Sequence, residues 1–222
     1  MYATPRSVGD VMTRTVAVVG PETPFKEIAR MLRDRHVGSL PVLVGGRVAG
    51  VVSESDLLPK EELRDAPGEA YTGRRRPADL AKAEAATAAE LMSAPAVTVH
   101  SGATLAEAAR RMARSGVRML PVVDDKGVLE GVVSRVDLLK VFLRGDQDIE
   151  REVRHDIVSW ILPPPDSLIH VEVHDGVVTL TGSLRDTALV PVAARLVRAV
   201  EGVVDVEFDL APAPGRADGT LT

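Results

Sequence analysis

The chain has 222 residues, of which 45% are apolar but only 3% aromatic, so its cores must be built from Val, Leu, Ala and Ile; with no cysteine it has neither disulfides nor thiolate metal sites. The formal net charge of −5 is uneven: residues 147–210 hold 12 Asp/Glu against 5 Arg, so this stretch is −7 and the remainder +2. An acidic C-terminal third repels phosphate backbones and anionic headgroups, which argues against nucleic acid and against simple electrostatic membrane docking. In chain order, the first predicted elements are a strand over Val16 to Val19 and a helix entered through Thr23 and Pro24, with Thr23 as its cap. Phe25, Ile28 and Leu32 share one face of that helix, while Arg30 and Arg33 turn outward. Two strands follow, Leu40 to Val44 and Val48 to Val52, joined by the turn pair Gly45-Gly46. A further helix begins near Ser55, and the order is β-α-β-β-α.

Residues 59–87 mix six basic and six acidic side chains with three prolines and two glycines, which reads as a charged, partly disordered linker, helical toward Ala81 to Ala89. Arg74-Arg75-Arg76 is read as part of that solvated linker rather than as a nucleic-acid contact. The same β-α-β-β-α order then recurs. Shifted by 80 residues, Met12-Thr13 falls on Met92-Ser93, Val37 on Val117 and Leu40-Pro41-Val42 on Leu120-Pro121-Val122. After one inserted residue, Gly50-Val51-Val52-Ser53 falls on Gly131-Val132-Val133-Ser134 and Asp56-Leu57-Leu58 on Asp137-Leu138-Leu139. In this copy a strand is predicted over Ala96 to Val99, and Thr104 with Glu107 has the spacing of a capping box.

A third unit starts near Asp148, with the predicted order α-β-β-α-β. Its first helix, Ile149 to Ile161, is stopped by Pro163-Pro164-Pro165, with Trp160 and Ile161 read as core residues. Ile169, Val171 and Val173 alternate with His170, Glu172 and His174, Asp175-Gly176 supplies a tight turn, and Val178 and Leu180 alternate with Thr179 and Thr181. A helix from about Leu189 to Val200, with Pro191 near its start and Gly202 as a left-handed cap, leads to a strand over Val203 to Leu210 and a flexible tail, 211–222. His170, Glu172 and His174 share a strand face, but next neighbours on a face are about 7 Å apart, so the trio is read as a solvated face and not as a metal site.

The strongest chemical signal is the duplicated Gly-Val-Val-Ser-x-x-Asp at the end of a strand entering a helix. Free N–H groups there favour an anion, a Ser hydroxyl can bond a phosphate oxygen, and an Asp three residues on can accept from a ribose diol. The same residues also suit helix capping, and both readings are open. No phosphate-binding glycine loop, nucleophile elbow or zinc-protease motif occurs, and His36, His100 and His155 have no catalytic spacing, so no catalytic residues and no enzyme activity are expected.

On these motifs, residues 8–58 and 88–143 resemble two CBS domains, which together form a Bateman module. The resemblance implies an α+β (α/β) fold in which the repeats pack as a pseudo-two-fold pair, with two clefts that in many such pairs bind AMP, ADP, ATP or S-adenosyl compounds. It implies one cleft using Ser53, Ser55 and Asp56 with Ser93, Val97, Val117, Arg118 and Met119 of the facing repeat. It implies another using Ser134, Arg135 and Asp137 with Thr13, Ala17, Val37, Gly38 and Ser39. Asp would hold the ribose, Ser and Arg the phosphate, and the apolar positions the adenine. Val136 in place of a second serine, and Glu54 beside the first motif, imply unequal sites. Asp-Gly-Val-Val-Thr-Leu-Thr-Gly at 175–182, Ala193-Ala194 and Gly-Val-Val-Asp-Val at 202–206 make residues 148–210 similar to a BON domain, a family associated with phospholipid or envelope surfaces.

The expectation is a regulatory module with an adenine nucleotide as its ligand, no required cofactor, a homodimer through the CBS pair, and readout of binding by the BON-like domain or a possible protein partner. The competing expectation is a dimerisation scaffold with empty clefts whose last domain recruits protein or lipid. The absence of about 18 consecutive apolar residues and of a leader-like N-terminus points to a cytoplasmic chain without a membrane span.

Overall fold

The computed structural model describes residues 7–62, 77–159, 167–184 and 187–212. The expectations for Arg74 to Arg76, Trp160, Ile161 and most of the tail lie outside these residues. The fold is α+β and divides into two compact units, Arg6–Leu138 and Leu139–Thr222.

The first unit holds the duplication. Its elements are α1 (Val8–Val11), α2 (Phe25–Arg35), β1 (Ser39–Val44), β2 (Arg47–Ser53), α3 (Glu54–Glu62), α4 (Pro77–Glu84), α5 (Ala88–Leu91), α6 (Leu105–Ser115), β3 (Met119–Val123), β4 (Leu129–Ser134) and α7 (Arg135–Leu139). Each repeat contributes one antiparallel hairpin, β1–β2 and β3–β4. Both residues of the Gly45-Gly46 turn have positive φ, the geometry that matches the twist of a two-residue hairpin.

Two expectations are corrected by local chemistry. The strands expected over Val16 to Val19 and Ala96 to Val99 reduce to single parallel bridges, Val19 to Val42 and Val99 to Val122. The next rung of each ladder would need an N–H from Pro41 or Pro121, which proline lacks. Nor does Thr23 cap α2: Pro24 holds the cap position, and the Thr23 hydroxyl accepts from Gly20 N–H at 3.1 Å. Thr104 does cap α6, accepting from Glu107 N–H at 3.2 Å.

The repeats exchange their entry segments. Val8, Val11 and Met12 are buried with Val99, Ala108, Met112, Leu120, Val122 and Val133, the core of the second repeat. Ala85, Ala88 and Leu91 are buried with Val19, Ile28, Leu32, Leu40, Val42 and Val52, the core of the first. Backbone bonds fix both exchanges. Thr13 trades two with Val132, each 2.9 Å, and Ser93 trades two with Val51, at 2.9 and 3.1 Å. The hairpin tips also meet, Val48 N–H donating to Gly127 O at 3.1 Å. Ala85, within the stretch read as a linker, therefore belongs to the first core, and α4 precedes it as a helix.

The duplicated glycines of the Gly-Val-Val-Ser motif serve this docking. A Cβ on Gly131 would lie 2.8 Å from Thr13 O and 2.9 Å from Met12 Sδ, and one on Gly50 would lie 3.0 Å from Ser93 O. Gly131→Ala is expected to cost about 1–3 kcal/mol in urea unfolding, the usual range for overpacking. An unchanged midpoint would show that α1 does not dock against β4.

The second unit contains α8 (Asp146–Glu152), β5 (Ser167–His174), β6 (Val177–Leu184), α9 (Val190–Arg198) and β7 (Asp205–Pro212). Its sheet order is β5-β6-β7, with β5–β6 antiparallel and β6–β7 parallel. The first helix differs from expectation: after Glu152 the chain winds as a π-helix over Val153–Val158. Buried Ile149, Val153 and Ile157 recur every fourth residue, a period the wider turn keeps on one side better than 3.6 residues would. The helix and α9 cover Val171, Val178, Leu180 and Val206. Asp146 pins the β5–β6 turn, accepting from the N–H groups of Asp175 and Gly176 at 2.9 Å each. Gly202 has φ +93 but lies beyond the helix end, where Ala199 is the cap. No helix among the described residues is long and apolar enough to cross a membrane.

Candidate functional site

Asp56 and Asp137 are the two buried charged side chains among the described residues, 6% and 8% exposed, and they occupy equivalent places in the duplication. A buried carboxylate is tolerated only when its oxygens are satisfied. Each lies in the first turn of its helix, three residues after the serine that ends the preceding strand, so the backbone brings serine and carboxylate together as a cap.

The first junction is closely bonded. Ser53 N–H and Ser53 Oγ both donate to Asp56 Oδ2 at 2.7 Å, and the two serine hydroxyls are 2.8 Å apart. Since Ser53 gives its proton to the carboxylate, Ser55 is the donor of the hydroxyl pair. The other carboxylate oxygen, Oδ1, accepts from the ammonium of Lys82 on α4. Lys82 also lies 3.4 Å from Ser93 Oγ.

At the second junction Ser134 N–H and Oγ donate to Asp137 Oδ2 at 2.9 and 2.6 Å, and Asp137 N–H returns a 3.4 Å bond to Ser134 Oγ. Of the two readings left open by the motif, capping is thus present at both junctions and takes one oxygen of each carboxylate. The hydroxyl that was expected to meet a phosphate instead spends its proton on the Asp beside it.

The remaining candidates fall around these junctions as follows. Ser39 pairs with Ser53 across β1–β2, and Glu54 N–H donates to Gly38 O at 3.0 Å. Met119 pairs with Ser134, Arg135 N–H donates to Arg118 O at 3.1 Å, and the Arg135 guanidinium donates to Val117 O at 3.2 Å. Ser93, held on Val51, reaches the first junction from the second repeat's sequence, and Thr13, held on Val132, flanks the second junction from the first repeat's. Ala17 and Val37 are partly buried against the first core, Val97 and Val117 against the second. Each is thus packed against the core built on its own repeat's hairpin.

The junctions differ in charge. The first carries Glu54, folded over Gly38 so that a Cβ there would be 3.6 Å from Glu54 Oε2. The second carries Arg135 and exposed Arg118 at the matching places. A negatively charged ligand is favoured at the second on this ground alone.

Lys82 was not legible as a site residue when the linker was read by its overall charge. A signal exists in its place three residues before Ala85, the first of the apolar residues Ala85, Ala88 and Leu91 that reach the core. Among the described residues no group of three His, Asp or Glu could hold a metal ion. His170 pairs with Glu172 at 3.2 Å while His174 lies 3.6 Å from Asp175, so the strand-face trio does not converge.

Comparison with known proteins adds three findings. The CBS domain model matches residues 8–60 and 88–144, and the BON domain model matches residues 145–211. An uncharacterized protein of Methanopyrus kandleri is 32% identical over 137 residues, which are 61% of this chain and 62% of that protein. A CBS domain-containing protein of Bacillus subtilis is 27% identical over 132 residues, 60% of this chain and 82% of that one. The match spans only 46% of a Methanocaldococcus jannaschii relative. Among solved structures, CBSX2, known from Arabidopsis thaliana and solved in complex with AMP, has a TM-score of 0.55 at 29% identity, covering 62% of this chain and 97% of that chain. A CBS domain pair solved with 5′-methylthioadenosine and S-adenosylmethionine has a TM-score of 0.50 at 19% identity, covering 61% of this chain and 98% of that chain, a likeness of fold.

Proposed function

Because this chain is a tandem pair of CBS domains followed by a BON domain, we propose that it is a regulatory, non-catalytic module that binds an adenosine-containing ligand between its repeats. The observation that carries the reading is the pair of buried carboxylates, Asp56 and Asp137, at duplicated strand-to-helix junctions. Each carboxylate directs Oδ2 to its local cap, and the ribose diol is assigned to the other oxygen. The AMP complex of CBSX2 supports the ligand class.

The proposed first site comprises Ser53, Ser55 and Asp56 with Ser93, Val97, Val117, Arg118 and Met119. The proposed second comprises Ser134, Arg135 and Asp137 with Thr13, Ala17, Val37, Gly38 and Ser39. With Arg135 where the first motif carries Glu54, the second is the tighter for AMP, ADP and ATP. Binding acts only by favouring one of two arrangements of the chain, and the BON domain or a partner reads the difference. The pair is further proposed to self-associate as a homodimer, which light scattering at tens of micromolar reads directly.

Calorimetric titration with AMP, ADP, ATP and S-adenosylmethionine tests the reading. Asp137→Ala is expected to weaken the tighter site about 10- to 100-fold, the loss of one or two bonds to a charged group at about 1.4 kcal/mol per decade. Asp56→Ala is expected to affect a weaker phase. Heat that survives both substitutions would place the site elsewhere. The engagement of Asp56 by Lys82 favours a second reading for the first cleft, in which it is a closed structural joint of a dimerisation scaffold. Absence of heat with all four ligands would establish that reading for the whole pair.

A further inference from the structure

We infer that Lys82 is an internal competitor for the first cleft, so that a ribose-bearing ligand binds Asp56 only by displacing Lys82 and releasing helix α4 from α3. This rests on the reading of Asp56 as a ribose acceptor. Its grounds are the bonding of one carboxylate. Oδ2 of Asp56 is committed to Ser53 N–H and Oγ, and Oδ1 receives the Lys82 ammonium. A ribose diol donates two bonds, Oδ1 has two acceptor positions, and the ammonium holds one of them, so both hydroxyls can be accepted there only when the lysine leaves. The pair is well covered, the Lys82 side chain being 20% and the Asp56 side chain 8% exposed, so solvent does little to screen it.

The lysine is also firmly delivered. The backbone leaving α4 buries Ala85, 4% exposed, in the first core, and Leu91 follows it there, fully buried. Lys82 stands one turn before Ala85, and its ammonium lies 3.4 Å from Ser93 Oγ, a second residue of the proposed site. Displacing the lysine therefore removes a polar link between α4 and the junction while leaving the apolar anchor in place. Occupancy of the cleft is thereby converted into loosening of α4.

Adenosine is the suitable probe, because it carries the ribose without a phosphate that the lysine could attract. In the full chain carrying Asp137→Ala, Lys82→Met is expected to tighten adenosine binding about tenfold, as follows if the competing lysine leaves about one molecule in ten competent. Lys82→Arg keeps a competing donor and is expected to leave binding near the parent value. In the wild-type chain, saturating adenosine is expected to speed amide exchange across residues 77–84 to the rate that Lys82→Met shows without ligand. Unchanged or weaker adenosine binding in Lys82→Met overturns the competition, since the lysine is then a bystander or a ligand contact. Slower exchange across 77–84 on adding adenosine overturns it equally. If no variant binds adenosine, Lys82→Met included, the ribose reading of the first cleft itself fails; binding that ignores Lys82 sinks only the gate.

Discussion

Gly182→Ala is expected to unfold the C-terminal unit while leaving the CBS pair folded. Gly182 lies within β6 at φ +130, a region that L side chains rarely adopt. A Cβ there would stand 1.8 Å from the carbonyl oxygen of Leu168 and 3.0 Å from its carbonyl carbon, so backbone must move rather than a side chain. Strain of this kind costs about 1–3 kcal/mol. Pushing Leu168 away also disturbs the β5–β6 ladder, at about 1 kcal/mol for each bond lost. A domain the size of residues 145–211 holds only about 3–10 kcal/mol in all. Scanning calorimetry should therefore show one transition lost or moved far down, with ligand heats at the CBS pair retained. Gly45→Asn is the control: it too has positive φ, but nothing lies within 4 Å of a Cβ there, and asparagine tolerates that conformation. A change of less than about 0.5 kcal/mol is expected for it. Equal tolerance of both substitutions would falsify the close approach at Gly182.

Where local chemistry decides the structure, the sequence is an adequate guide. The turns Gly45-Gly46 and Asp175-Gly176 have the positive φ values that their residues suit, and Val171 is buried between exposed His170 and Glu172 as alternation requires. The hairpins and the α-β-β-α-β order of the last unit follow from such signals. Failures occur where a distant residue decides. The strand at Val16 to Val19 has the right composition, but its ladder is stopped by a proline on another strand. The motif Ser-x-x-Asp is legible as chemistry yet cannot say whether an oxygen faces the backbone or a cleft. The structure assigns Oδ2 to the cap at both junctions and Oδ1 of Asp56 to a lysine 26 positions away. Averaging charge over residues 59–87 conceals that lysine, because a composition carries no positions.

Leu91→Ala provides the sharpest test of the exchanged entry segments. By sequence Leu91 opens the second repeat, and the duplication alone assigns it to the core around Leu120. In the structure it is fully buried among Ile28, Leu40 and Val52 of the first repeat. Removing a buried leucine to alanine costs about 2–5 kcal/mol, depending on how far the cavity collapses. That cost alone does not identify the core, since either packing buries the side chain. A double-mutant cycle does. Leu91→Ala with Leu40→Ala should depart from additivity by about 0.5–3 kcal/mol, as residues sharing a cavity do. Leu91→Ala with Leu120→Ala should be additive to within about 0.5 kcal/mol, because Leu120 belongs to the other cluster. The reverse pattern would return α5 to its own repeat and with it the route by which α4 carries Lys82 to Asp56. The stability cycle and the adenosine titration thus examine one structural premise from opposite ends, packing in the first case and competition for an oxygen in the second.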